Sequence, residues 1–254
     1  MAGSLHDLSQ HERSDQRLWM QYAITRILGE SCALDQAAPE LLEAIGEGME
    51  WDWGALWTVD PEARVLRCGK SIWHAPNMEV AEFDAISREM TFTPGQGLLG
   101  RVWQSAEPAW VVDVTRDANF LRADVAAKVG LRGAIAFPIL LGGETLAVME
   151  FFSRAVREPD RQQLAQLATV ASQIAQCIER KRAEAARRES EQRWRAAFQN
   201  SPVGIGIAHL GGRLLEANPA LRAMLGYTKE ELRSLTFIDF TYEEDVELTN
   251  AKVA

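Results

Sequence analysis

Two carboxylates stand inside otherwise apolar stretches: Asp113 in EPAWVVDV (107–114) and Glu150 in GGETLAVMEFFS (142–153). A buried carboxylate has to be paired or hydrogen-bonded, because an isolated buried charge is very costly. Arg101, Arg116, Arg122 and Arg132 are the candidate partners. A structural ion pair is expected ahead of a ligand contact. A second candidate for chemistry is GQGLLG, where Gly95, Gly97 and Gly100 fall within six residues. Loops of this kind present backbone N–H groups that can cradle a phosphate. This one lacks Gly-Lys-Ser/Thr, a preceding strand and the distal acid of a dinucleotide fingerprint. Tight turns that carry the backbone close to a sheet are expected instead.

Other reactive residues give less. Cys32, Cys68 and Cys177 are far apart, odd in number and form no CxxC pair, so neither a zinc site nor a disulfide framework is expected. They read as reduced thiols. His74, in SIWHAP, is disfavoured as an axial haem ligand against an ordinary hydrogen-bonding role. His11-Glu12 has the first two residues of a kinase phosphoacceptor motif but not the Leu-Arg-Thr-Pro that follows. No Ser-His-Asp or Cys-His set can be assembled, so no catalytic residue and no metal ligand is assigned. The aromatics Trp57, Trp73, Phe92, Trp103, Trp110, Phe120 and Phe137, with Asp113 and Glu150, form the candidate lining of an apolar pocket. No cofactor is specified by these residues.

Composition narrows the class. Lys and Arg number 27 against 36 Asp and Glu, a net charge of −9 over 254 residues. That opposes general nucleic-acid binding, which needs a basic face. No apolar run approaches the ~20 residues of a membrane span. The start, MAGSLHDLSQHERSDQ, has no secretory h-region, so a cytoplasmic location is expected.

Several elements must position these residues. Residues 1–15 read as a disordered arm. A helix is expected from Asp15 to Gly29, with Leu18, Tyr22, Ile24, Ile27 and Leu28 on its apolar side, and a second over Leu34–Met49. Trp51–Val59 and Val65–Trp73 read as a hairpin about Asp60-Pro61-Glu62-Ala63. A helix over Val80–Met90 leads to the glycine stretch, a short helix over Arg101–Ser105, a strand over Ala109–Val112 and a helix over Arg122–Val129. Leu131–Leu141 and Glu144–Phe152 are apolar runs joined by Gly142-Gly143, a strong hairpin signal. Pro138 marks a bulge or an edge there. No Gly or Pro occurs between Asp160 and Ser201, so one helix of roughly forty residues, about 60 Å long, is expected. Its apolar seam, Leu164, Leu167, Ala171, Ile174 and Ile178, is of coiled-coil type and predicts a homodimer through the N- and C-terminal helices. After Ser201-Pro202 come a small hairpin about Gly211-Gly212, a helix capped by Asn218 with Pro219 first, and a capping box from Thr228 to Glu231.

Residues ~16–180 resemble a GAF domain, a small-molecule-sensing module of bacterial signalling proteins. The resemblance rests on WHAP (73–76), TFTPGQGLLGRVW (91–103), EPAWVVDV (107–114), DANFLRA (117–123), GLRGAIAFPI (130–139), GGETLAVMEFFS (142–153) and IERKRAE (178–184). Residues 199–254 resemble the N-terminal half of a PAS domain, through NSPVGIGIAHLGGRLLEANPALRAMLGYTKEEL at 200–232. The resemblance implies an α+β fold. A GAF-like antiparallel sheet would carry helices on both faces, with the first and last helices on one face and residues 79–130, with the ligand pocket, over the other. A long signalling helix or stalk (160–198) and a partial PAS-like unit, read as truncated, would follow. Cyclic-nucleotide-binding relatives carry an Asn-Lys…Phe…Asp-Glu pattern that this chain lacks. Bilin-binding relatives need a cysteine where this chain reads FLRADVAAKVGL, so covalent bilin attachment is not expected. The expected function is a sensory, signal-transducing module that detects an unidentified small molecule and relays it through a dimeric helical linker. The alternatives are the sensor part of a histidine kinase or diguanylate cyclase whose catalytic domain is not in this chain, and a ligand-free dimerisation scaffold.

Overall fold

The computed structural model of the chain describes residues 2–209 and 211–245. It divides into two units, Met1–Arg182 and Ala183–Ala254. The first unit begins with α1 (Ala2–Glu30) and α2 (Leu34–Gly48), then the hairpin strands β1 (Trp53–Asp60) and β2 (Val65–His74). α3 (Ala81–Glu89), β3 (Thr91–Phe92), α4 (Gly97–Ser105), β4 (Ala109–Val111) and α5 (Ala123–Lys128) form the crossing segment. β5 (Gly133–Leu141), β6 (Glu144–Ser153) and α6 (Arg161–Asn200) follow. The architecture is α+β, as the sequence suggests.

Helix α1 starts at Ala2, not at Asp15, so the expected disordered arm is replaced by helix from Ala2 onward. Adding residues to a formed helix is far easier than nucleating one, and no proline interrupts residues 2–30.

The six strands form one antiparallel sheet in the order β3-β2-β1-β6-β5-β4. Side chains alternate between its faces, and both faces are covered, which explains strands that are apolar at nearly every position. Leu56, Ile135, Phe137, Met149 and Phe151 pack on one face with α1, α2 and α6. Trp53, Ala55, Trp57, Ala134, Ala136, Val148 and Phe152 face the other core, formed with the crossing segment. Gly142 and Gly143 turn the β5–β6 hairpin at φ +61° and +87°. Pro138 lies beyond the last β4–β5 pair, Ala109 with Ala136, where no further β4 partner needs its missing N–H. The register shift in this hairpin falls just after it, between Ile139 and Leu140.

The first part of α6 is capped by Asp160, whose Oδ1 accepts from Gln162 N at 2.8 Å and Gln163 N at 3.3 Å. Its expected dimer seam is used inside the chain. Leu167, Ala171, Ile174 and Ile178 are buried in the single chain, and Leu164 is packed against the same core. Spacings of three and four residues serve packing onto a sheet as well as packing onto a second helix. This stripe is therefore not available to a partner.

The cysteines also depart from expectation. Cys32, between α1 and α2, and Cys177, on α6, are joined in a disulfide, with a Cα–Cα distance of 5.6 Å across 145 residues of sequence. Only Cys68 is free.

The second unit, beyond its share of α6, contains a two-stranded sheet of β7 (Gly206–Ala208) and β8 (Leu214–Ala217), then α7 (Pro219–Leu225) and α8 (Lys229–Leu232). Fully buried Asn218 organises it. Its Oδ1 accepts from Ile205 N and Leu221 N at 2.9 Å each, and its Nδ2 donates to Val203 O at 2.8 Å. The expected N-cap thus also anchors the preceding hairpin. The Thr228–Glu231 capping box is present.

Candidate functional site

The glycine stretch closes on itself. Gly95 N donates to Gly100 O at 2.7 Å, Gly97 N to Asn119 Oδ1 at 3.1 Å, and Thr93 N to Gln96 Oε1 at 3.1 Å. Asn119 Nδ2 donates back to Gly95 O at 3.2 Å. These N–H groups are taken by the chain itself, which removes them from a phosphate cradle. Gly97 and Gly100 do not break the helix but lie within α4, which begins four residues earlier than expected. A Cβ on Gly100 would stand 2.1 Å from Thr93 O. Gly100→Ala is expected to destabilise the first unit by about 2–4 kcal/mol, since a backbone atom must move. Urea unfolding of the variant against wild type checks this.

The stretch braces the segment that follows. Asp113 caps the turn Val114–Arg116: its Oδ1 accepts from Thr115 N at 3.0 Å and from Thr115 Oγ1 at 2.7 Å. Arg132 and Arg116 approach its Oδ2 at 3.7 and 3.8 Å. These contacts, the Thr115 hydroxyl first, hold the Asp113 carboxyl below its ordinary range. Asp117 pairs with Arg101 and accepts from Asn119 N at 2.9 Å. Burial pushes the Asp117 carboxyl up, but Arg101 and the Asn119 N–H outweigh it and hold it low. A carboxyl lowered in the folded state stabilises above its unfolded pKa of about 4, and that stability is lost as pH falls through the folded value. Asp117→Asn is expected to cost about 1 kcal/mol at pH 7 and progressively less toward pH 3. Thermal unfolding of both proteins across that range reads the convergence.

Beyond this braced turn lies the feature that the sequence did not assemble. Arg122, immediately before α5, is 2% exposed, and Glu150, on β6, is 0% exposed. Arg122 Nη2 donates to both oxygens of Glu150, at 2.9 and 2.7 Å. Its Nη1 donates to Ser87 Oγ on α3 at 2.8 Å. Trp57 Nε1 donates to Glu150 Oε1 at 2.8 Å. The guanidinium carbon lies 4.9–5.5 Å from the ring centres of Trp57, Phe83, Phe92, Phe120 and Phe152. Those rings meet edge-on, as in the Trp57–Phe92 and Phe83–Phe152 pairs. Arg122 Nε is buried with no hydrogen-bond partner among the described residues.

A hydrophobic filling of equal volume would serve stability as well as a buried ion pair or better. A charged pair sealed in an aromatic cage is therefore the candidate functional site of the unit. Cys68, opposite Trp57 on β2, borders it. Burial pushes its thiol up to about 12, with the Glu150 charge adding to the effect, so it is a poor nucleophile.

Of the expected pocket residues, Trp57, Phe92, Phe120 and Glu150 meet in this cage. Trp103 is a half-buried neighbour of the same core. The others lie elsewhere. Trp73 packs on the opposite face against Gly46, where an added Cβ would meet its ring at 2.1 Å. Phe137 stacks with Phe151 on that opposite face and borders a groove of about 370 Å³ beside α6. Trp110 packs edge-on against Trp51 and donates from Nε1 to Arg157 O at 2.7 Å. Asp113 serves the turn described above. Period-two alternation separates Trp73 and Phe137 from the cage. Arg122, Ser87, Phe83 and Phe152 were missing from the expected lining, although Arg122 was one of four candidate partners for Glu150.

Comparison with known proteins agrees with this fold. Residues 33–179 match the family model of the GAF domain, and residues 192–253 match that of a PAS domain. The chain is 34% identical over 114 residues to the methyl sulfide methyltransferase-associated sensor of Methanosarcina acetivorans, covering 44% of this chain and 11% of that protein. It is 43% identical over 58 residues to a protein of Escherichia coli named "Probable diguanylate cyclase DgcE", covering 23% and 5%. It is 40% identical over 52 residues to the sensor histidine kinase TmoS of Ectopseudomonas mendocina, covering 20% and 5%. The chain thus spans about a tenth or less of these relatives. Among solved structures, the free methionine-R-sulfoxide reductase of Neisseria meningitidis superposes with a TM-score of 0.53 at 16% identity, covering 66% of this chain and 93% of that one. The GAF domain of an Acinetobacter phosphoenolpyruvate-protein phosphotransferase does so with a TM-score of 0.52 at 12% identity, covering 67% and 97%. At these identities the structures speak for the fold alone.

Proposed function

The chain belongs to the GAF domain family, and on that premise we propose that it is a sensory module whose ligand site is the caged Arg122–Glu150 cluster. The observation that carries this reading is the placement of β6. Glu150 faces the cage, while its neighbours Met149 and Phe151 face the core that holds Leu167 and Ile174 of α6. A change at the cage thus reaches the base of α6 through one strand. The relay would be a small shift or rotation of that helix. The polar stretch Lys181–Arg195, exposed at nearly every position, would be its bistable part.

A homodimer belongs to this reading. Its support lies on α1, where Leu18, Trp19 and Tyr22 are exposed by 63%, 50% and 71%. A cytoplasmic location completes it, with Cys32–Cys177 then a pair formed under oxidising conditions. Among the described residues no helix is long and apolar enough to cross a membrane. Native mass spectrometry of the purified chain tests ligand and assembly together. A dimer carrying a small adduct that is released on denaturation is expected. A folded monomer with no adduct overturns the reading.

The names of two relatives support a second reading, in which the chain is the sensor part of a histidine kinase or diguanylate cyclase. An in-frame catalytic domain in the coding DNA would establish it, and its absence there would exclude it.

A further inference from the structure

We propose that the cage recognises a small organic cation with a guanidinium or alkylammonium head, and that Arg122 is an internal occupant which this ligand displaces. The inference rests on the sensory reading above and adds the chemical class of ligand. What surrounds the Arg122 head is a cation site in each of its parts. Glu150 supplies a charge with no exposure to solvent, and both of its oxygens accept from the one nitrogen Nη2 of Arg122. Five ring faces and edges enclose the head at 4.9–5.5 Å. The Ser87 hydroxyl accepts a further N–H. Glu150 is itself held by the Trp57 indole, so it stays oriented when the guanidinium leaves.

Arg122 fills this site incompletely, because its Nε–H is buried with no partner among the described residues. An untethered cation can turn to satisfy its donors, whereas the Arg122 head is fixed by its own backbone. The tether is also local. Upstream, the chain is pinned by Asp117 to Arg101 and by Asn119 to Gly95 and Gly97. Downstream, α5 is only six residues long, ends at Lys128 and is followed two residues on by Gly130, which has φ +78° and open space around its Cβ position. The exposed Lys128–Glu82 pair links α5 to α3. Withdrawal of Arg122 therefore needs movement of one short helix rather than of the sheet. A site that is self-occupied binds an outside ligand more weakly, by the fraction of time it stands open.

The test titrates methylguanidinium and tetramethylammonium chloride into the full chain, with urea as the neutral isostere and sodium acetate as the anion control. Binding is read by calorimetry and by the Trp57 indole N–H resonance, which reports on Glu150. In wild type both cations are expected to move that resonance at concentrations up to about 10 mM, and urea and acetate to leave it in place. Arg122→Ala, which removes the internal competitor, is expected to bind methylguanidinium at least about tenfold more tightly. Rescue of Arg122→Ala by methylguanidinium with a silent wild type overturns the proposal and makes the cage a structural socket. If Arg122→Ala does not fold, the wild-type resonance decides alone, and its failure to move overturns the proposal. A neutral or anionic adduct in native mass spectrometry overturns the cation assignment and leaves the sensory reading standing. Absence of any adduct together with a monomer overturns the sensory reading itself.

Discussion

Glu150→Ala is expected to lower the unfolding free energy of the first unit by about 3–5 kcal/mol. The loss is not the worth of the ion pair. It is the cost of leaving Arg122 buried at 2% exposure with no carboxylate, and of leaving the Trp57 indole N–H without its acceptor. Arg122→Met should cost a comparable amount, because it strands Glu150 in the same ring of aromatics. The double variant Arg122→Met/Glu150→Leu should recover most of the loss. It removes both charges and keeps apolar volume, the exchange that buried ion pairs tolerate best. Urea unfolding of wild type, Arg122→Met, Glu150→Leu and the double variant closes a double-mutant cycle, in which the summed single losses should exceed the loss in the double variant several-fold. Single variants that each cost less than about 1 kcal/mol would show that water reaches the pair and that the cage is not sealed. Stability and recognition separate here. If the double variant is as stable as wild type yet blind to cations, the charged pair is kept for binding rather than for folding.

What the sequence made legible is local. Gly142-Gly143, Asn218 with Pro219, and Thr228 with Glu231 each act within a few residues, and each appears in place in the structure. The hairpins and the single helix Arg161–Asn200 follow from patterns of the same range. The site depends on sheet parity and on which segment crosses which face. Trp57 and Trp73 both read as aromatic strand residues. Trp57 lies opposite Cys68 and Trp73 opposite Gly54, and Trp57 and Gly54 are an odd number of positions apart on β1, so the two tryptophans face different cores. Arg122 was one of four arginines near two acids, and only the fold sends it to Glu150 and leaves Arg132 and Arg116 beside Asp113. The seam on α6 shows the same limit in another form. Its spacing is correct for burial and silent about whether a sheet or a second helix does the burying.

Reduction of the Cys32–Cys177 disulfide is expected to lower stability by about 2–5 kcal/mol, the upper figure being the chain-entropy limit for so long a loop. The bond closes 145 residues and ties the α1–α2 corner to α6, so it restricts most of the first unit when that unit is unfolded. The other cysteine does not interfere. Cys68 is the one free thiol, and with its pKa pushed up to about 12 it exchanges too slowly to scramble the pair in the native state. Thiol titration gives the first check: the unfolded chain should react once without reductant and three times with it, matching the three cysteines of the sequence. Thermal unfolding with and without reductant gives the second. Cys32→Ala/Cys177→Ala should unfold with the reduced protein and show no response to reductant. Three reactive thiols in the unreduced chain would mean that the bond does not form, and the stability difference should then vanish with it. Because the bond lands on the helix that the proposed relay must move, the oxidised protein should also transmit less. Cation-induced changes along residues 183–200 are expected to be smaller with the disulfide intact than after reduction, while the Trp57 resonance responds equally in both. Equal changes along the helix in both states would place the moving part of α6 beyond the reach of Cys177.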